Sequence, residues 1–249
     1  MKKIFFCLVF FILNLQAEKI TVFVASSASK AMIEIKDEFL KKNTNDEIEF
    51  VFGASGKHYH LLKNGRKFDM FFSADSKYPQ QIKNDGIALD NPQIYALGVV
   101  ALYTLDENLL KNGLDSLSEK KIKRISIANP KVAPYGVAAM EILNNIKIYD
   151  KIKDKIILGE NISQPVMHVD TAAAEVGIVA YSLVSDVNNP KGRAFLIDKK
   201  FYNPLEQSFV ITKYAKTNSK KEELAKRFSE FVLCDEGKKI IKKYGFDVR

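Results

Sequence analysis

Cysteine is almost missing from this sequence, with two residues in 249, Cys7 and Cys234. Cys7 lies inside the apolar stretch of "MKKIFFCLVFFILNLQA", which has Lys2 and Lys3 in front and the small Ala17 at its end. That layout reads as a secretory signal peptide, residues 1–17, cleaved before Glu18. The mature chain then keeps only Cys234, which excludes an internal disulfide and a cysteine-based metal site. In "RFSEFVLCDEG" the neighbours Phe228, Phe231 and Val232 suggest a packed helix, with Cys234 buried as a small apolar residue. A second long apolar segment is lacking too, and the leader's own run falls short of the roughly 20 residues that span a membrane. Histidine is scarce, at three. His58 and His60 stand two apart in "HYH", so they do not share a helix face. With no acidic or cysteine cluster beside them, a surface role is expected rather than a metal site. A Walker loop, a dinucleotide fingerprint and a G-x-S-x-G elbow are all absent, so little speaks for an enzyme.

Charge is not lacking, and the formal net charge is +8. The lysines are spread along the chain and interleaved with acids, as in "KDEFLKK" and "KKEELAKR". Those segments read as solvated helix faces with i,i+4 pairs. No basic–aromatic motif stands out, so a nucleic-acid partner is not expected. The mild positive field favours anions.

The rest of the pattern alternates strand with helix. β-rich runs at 19–25, 47–53, 68–74, 123–130, 175–183 and 207–213 read as strands. Helices are expected near 28–42, through "HYHLLKNG", and over 134–146 with a proline at the start. Two terminal helices follow, punctuated by Gly237 and Gly245. The apolar run 94–105 is too long for one strand in a compact layer and suits a crossing between two lobes. Such alternation implies parallel βαβ units and an α/β fold. Ligands then bind at the carboxyl ends of strands, which points to Ser26–Ser29, Gly53–Gly56, Ser73–Asp75 and Ala128–Tyr135.

Two of these junctions, "VASSAS" and "FGASGKH", put serines and small residues at the start of a helix. A helix start offers free N–H groups and a partial positive charge, and serine adds a rotatable hydroxyl. The pair can be plain N-caps or a neutral nest of donors for an oxyanion. Tyr135, in the first turn of a helix, adds either a phenolic donor or an ordinary packed tyrosine. Ser27 and Lys30 also match the S-x-x-K spacing of serine acylases, but the S-D-N and K-T-G partner patterns are absent.

The ordered set "TVFVASSASKAM", "FGASGKHYHLLKNG", "FDMFFSAD", "ANPKVAPYG", "ENISQ", "GIVAYS" and "KKYGF" resembles the periplasmic molybdate-binding proteins of ABC importers, over about residues 18–249. The resemblance implies a type II periplasmic binding protein. Two α/β lobes are joined by two crossover strands, with the ligand in the cleft. Lobe 1 would comprise 18–97 and 206–249, and lobe 2 residues 98–205. The implied oxyanion contacts are Ser27, with Ser26 beside it, Ser55, Tyr135 and the backbone of Ile162. In the strand of "GIVAYS" some members supply a tyrosine where this sequence has Ala180, and Tyr181 falls one place later, on the opposite face of a strand. The implied partners are molybdate or tungstate and a membrane permease, with no cofactor. The implied form is a periplasmic monomer.

The chemistry agrees with an all-donor site. Molybdate and tungstate are tetrahedral dianions without protons at neutral pH, so donors suit them and a carboxylate would repel them. Sulfate makes the same demands at smaller size, and hydrogenphosphate would profit from an acceptor. Two alternatives use the same residues. Ferric iron would need Tyr135, Tyr181 and the histidines to converge, and an acylase would pair Ser27 with Lys30.

Overall fold

A computed structural model of the chain describes residues 18–248. The expected leader lies outside them. Strand β1 (Glu18–Ala25) leads through a 3-10 turn at Ser26–Ala28 into helix α1 (Ser29–Lys42). Then come β2 (Asp46–Gly53), α2 (Ser55–Lys63), β3 (Met70–Ser73), α3 (Lys77–Asn84), β4 (Gln93–Gly98) and β5 (Val100–Thr104). The middle of the chain forms β6 (Ile125–Ala128), α4 (Pro134–Asn145), α5 (Tyr149–Ile152), β7 (Ile156–Gly159), α6 (Ser163–Asp170) and β8 (Val176–Ala180). The last elements are α7 (Tyr181–Val184), β9 (Arg193–Leu196), β10 (Leu205–Ile211), α8 (Ser219–Leu233) and α9 (Asp235–Lys243).

The strands form two five-stranded sheets among the described residues, ordered β2-β1-β3-β10-β4 and β7-β6-β8-β5-β9. Both are mixed rather than wholly parallel. β1 runs parallel to β2 and β3, and β6 parallel to β7 and β8, while β10 and β5 are antiparallel to their neighbours. The residues explain the central places. Val22 to Ala25 are buried on both faces of β1, as a strand covered on both sides requires. Helix α1 turns Ala31, Met32, Ile35 and Phe39 inward at helical spacing and meets α8 through Phe228, whose ring lies edge-on to Phe39 at 5.3 Å.

The apolar run at 94–105 is two strands in different sheets, β4 and β5, with Val99 between them. The chain returns between Leu196 and Leu205 through a 3-10 turn at Lys199–Phe201. These two crossings lie close together, since Val100 N–H donates to Tyr202 Oη at 3.2 Å and Ile197 N–H to Val100 O at 3.0 Å.

Several expectations need correction. The run 175–183 is strand only to Ala180 and then becomes α7. Gly237 lies within α9; the break between the terminal helices is at Cys234, which is part-buried. His58 is not a surface residue. It is buried and stacked on Phe23 at a centroid distance of 4.1 Å, while His60 is exposed. No helix among the described residues is long and apolar enough to cross a membrane.

Candidate functional site

The carboxyl ends of the parallel strands in the two sheets meet at one small, tight pocket. β1 delivers Ala25, Ser26 and Ser27 to it, β2 delivers Gly53, Ala54 and Ser55, and β3 delivers Ala74. From the second sheet, β6 delivers Ala133, Pro134 and Tyr135, and β7 delivers Ile162. The pocket thus brings together Ser26, Ser27, Ser55, Tyr135 and Ile162 and carries no charged lining residue. Tyr181 is not among them; its ring packs against Gly245 instead. Tyr181 opens α7, directly after the last residue of β8.

The serines do not cap their helices. The N-cap positions at this site are Ala25, Ala54, Ala133 and Ile162, and none makes a side-chain cap hydrogen bond. The first amides of a helix have no partner inside it. Four helical starts on one small pocket, none capped by its own N-cap side chain, therefore concentrate donors and positive partial charge. Some of these amides are already taken: Gly56 N–H donates to Val132 O at 2.9 Å across the two sheets, and at the start of α6 Ser163 N–H donates to Asn161 Oδ1 at 2.9 Å. Only glycine admits that approach, since a Cβ here would meet Val132 O at 2.9 Å and the Tyr78 hydroxyl closer still.

The hydroxyls have other tasks. Ser27 Oγ, wholly buried, donates to Gln207 Oε1 at 3.2 Å. Ser55 Oγ accepts from Ala74 N–H at 3.0 Å, which leaves its own proton uncommitted. Ser26 Oγ has no hydrogen-bond partner among the described residues. Ser182, on α7, donates to Ser27 O at 2.7 Å and so ties the second sheet to the first junction.

Tyr135 is 1% exposed, and its Oη has no hydrogen-bond partner among the described residues. Burial pushes its phenol well above the ordinary value, so it keeps its proton and stays a donor. Gly98 makes room for it, because a Cβ there would run into Tyr135 Oη and sit 2.8 Å from Gln207 Nε2. An unsatisfied, wholly buried hydroxyl costs stability, and here it belongs to a residue of the pocket wall.

The nearest carboxylate by sequence, Asp75, turns away. Its Oδ1 accepts from Ser73 Oγ at 2.8 Å and Tyr78 N–H at 3.2 Å, and burial raises its pKa. At the rim, Lys57 and Glu160 face each other across the two sheets at 3.4 Å. Both are exposed, so the pair contributes little to stability.

The alternative chemistries find no support in this geometry. Lys30 is exposed while Ser27 is buried with its proton on Gln207, so no base serves the serine. Tyr135 and Tyr181 do not converge, and His168 lies against Ser126 Oγ at 2.8 Å. Among the described residues no group of three or more His, Cys, Asp or Glu side chains is arranged to hold a metal ion. Sequence reasoning did not find Gln207, Ser182 or Gly98. Each supports the site from behind, and a polar residue opening an apolar strand was the one visible sign of Gln207.

This chain is 29% identical to the molybdate-binding protein ModA of Rhodobacter capsulatus over 231 residues, covering 92% of this chain and 88% of that protein. It is equally similar, at 29% over 236 residues, to the ModA of Azotobacter vinelandii, covering 94% and 92%. The solved structure of the Azotobacter vinelandii periplasmic molybdate-binding protein superimposes with a TM-score of 0.84 at 26% identity, covering 92% of this chain and 99% of that one. The profile of the bacterial extracellular solute-binding proteins matches residues 20–247. With that match and this two-sheet architecture, the chain belongs to the bacterial extracellular solute-binding protein family.

Proposed function

We propose that this protein captures molybdate, and tungstate with it, outside the cytoplasmic membrane and hands it to the membrane permease of an ABC importer. One observation carries the reading: helix starts and neutral hydroxyls surround a pocket without a charged lining residue. A proton-free dianion asks for that combination. Backbone amides and hydroxyls supply its hydrogen bonds, and no carboxylate repels it. The curated molybdate-binding relatives support the choice of anion. In this reading Ser55, Tyr135, Ser26 and Ser27 face the anion together with the Ile162 amide, and no bond is made or broken.

The two sheets serve as lobes, 18–97 with 206–249 and 98–205, which close on the anion and present a joint surface to the permease. One copy suffices, so we assign a monomer. Export relies on residues 1–17, removed before Glu18; the mass of the exported protein tests that cleavage.

Thermal melts with molybdate, tungstate, sulfate and phosphate test the ligand. At ligand about 1,000-fold above Kd the stabilisation is roughly 4 kcal/mol, or about 8–16 °C for a chain of this length. A clear shift with sulfate and none with molybdate or tungstate rejects the assignment.

A further inference from the structure

Gln207 is wholly buried near the start of β10, behind the pocket wall. Its amide has one workable orientation. Nε2 donates to Ala74 O at 2.9 Å and to Leu205 O at 3.3 Å. Turned over, Oε1 would face two carbonyl oxygens, so Oε1 must face Ser27. The contact with Ser27 therefore has a fixed sense, in which Oγ–H donates and Oε1 accepts. Ser55 stands the other way round, because its Oγ accepts from Ala74 N–H. One hydrogen-bonded chain thus runs from Ser27 to Gln207, to the Ala74 carbonyl, and from the Ala74 amide to Ser55. Its ends have opposite polarity: Ser55 offers a proton, and Ser27 offers lone pairs.

We propose that Gln207 is a positioning residue whose amide carbonyl competes with the bound anion for the single proton of Ser27. The inference rests on the oxyanion reading of this site. A proton-free dianion can only accept, so a hydroxyl that touches it must donate. Ser27 has one proton. It reaches the anion only by leaving Gln207 Oε1 without its donor in a buried wall. Ser55 makes no such exchange. The two serines therefore contribute unequally, with Ser55 the stronger, and what Ser27 contributes depends on Gln207.

A double-mutant cycle read by calorimetry with sodium molybdate tests this, using wild type, Ser27→Ala, Gln207→Met and the double variant. The affinity loss caused by Ser27→Ala should be larger on the Gln207→Met background, by about threefold to tenfold, the worth of one neutral hydrogen bond. A ratio of twofold or less, or one in the opposite direction, overturns the proposal. A purely structural Gln207 would lower the melting temperature and leave that ratio near one. Should Gln207→Met not fold, the molybdate-free melt of Ser27→Ala decides. Loss of the Ser27 donor should lower the melting temperature by several degrees, and a change within about 1 °C overturns the proposal. Wild type that binds no molybdate rejects the proposed function and this inference together. Wild type that binds it with a flat cycle rejects only this one.

Discussion

Tyr135→Phe should make the protein more stable and a poorer binder. Tyr135 Oη is wholly buried and hydrogen-bonded to nothing among the described residues. The Ser182 hydroxyl nearby donates to Ser27 O and is not in hydrogen-bond geometry with the phenol. An unsatisfied buried polar group costs about 1–3 kcal/mol. Removing the oxygen relieves part of that cost, and the ring keeps its packing. With about 1 kcal/mol recovered, the melting temperature without anion rises by roughly 2–4 °C. Gly98 adds to the effect, since its bare Cα lies close against that oxygen. With molybdate bound the phenol is a donor to a charged acceptor, worth about 1.5–3 kcal/mol, so affinity falls roughly tenfold to more than a hundredfold. Melts with and without molybdate, and calorimetry on the same samples, measure both. A lower anion-free melting temperature would show that the hydroxyl has a partner. An unchanged affinity would show that the turn contributes only its backbone. The two results together would refute the reasoning.

Ser55→Ala should weaken molybdate binding by roughly tenfold or more and also lower the anion-free melting temperature, because the Ala74 amide loses its acceptor; calorimetry and melts read these separately. Gly98→Ala should destabilise by about 1–3 kcal/mol through overpacking, with part of the loss recovered in the Gly98→Ala, Tyr135→Phe double variant; equal denaturation midpoints for wild type and Gly98→Ala would contradict the close approach. Burial lowers the pKa of His58, so the unfolded chain takes up its proton first, and stability falls as pH drops below about 6.5. His58→Phe keeps a ring on Phe23 and should lose less melting temperature between pH 7 and pH 5; an identical slope would clear His58 of that role.

Legibility was uneven and followed local chemistry. β1 and β2 announce themselves in β-branched and aromatic runs, and their observed ends at Ala25 and Gly53 fall where the sequence places them. The pocket residues were visible because small residues and serines cluster where strands give way to helices. Edge strands were harder. β7 and β9 are short and partly exposed, as the pattern at Arg193–Leu196 shows, so they carry no clean alternation. The sequence leaves the serines open as caps or as donors. Local sequence sets which hydroxyls stand near a helix start, but their partners here are Gln207, far along the chain, and the Ala74 amide. His58 was misplaced for the same reason: its burial depends on Phe23, from another strand. A close approach such as Gly98 to Tyr135 has no signature in either segment alone.

The alanine at three of these helix starts has a further consequence. At Ala54 an aspartate would ordinarily cap α2 and add about 1 kcal/mol. In this fold the same carboxylate would fold onto the free amides of the pocket, an internal mimic of the cargo tethered at very high local concentration. The residue that best ends the loop is therefore the one that would jam the receptor. On the function proposed above, helix stability and anion binding thus make opposite demands on this position, and the short methyl side chain leaves the amides open.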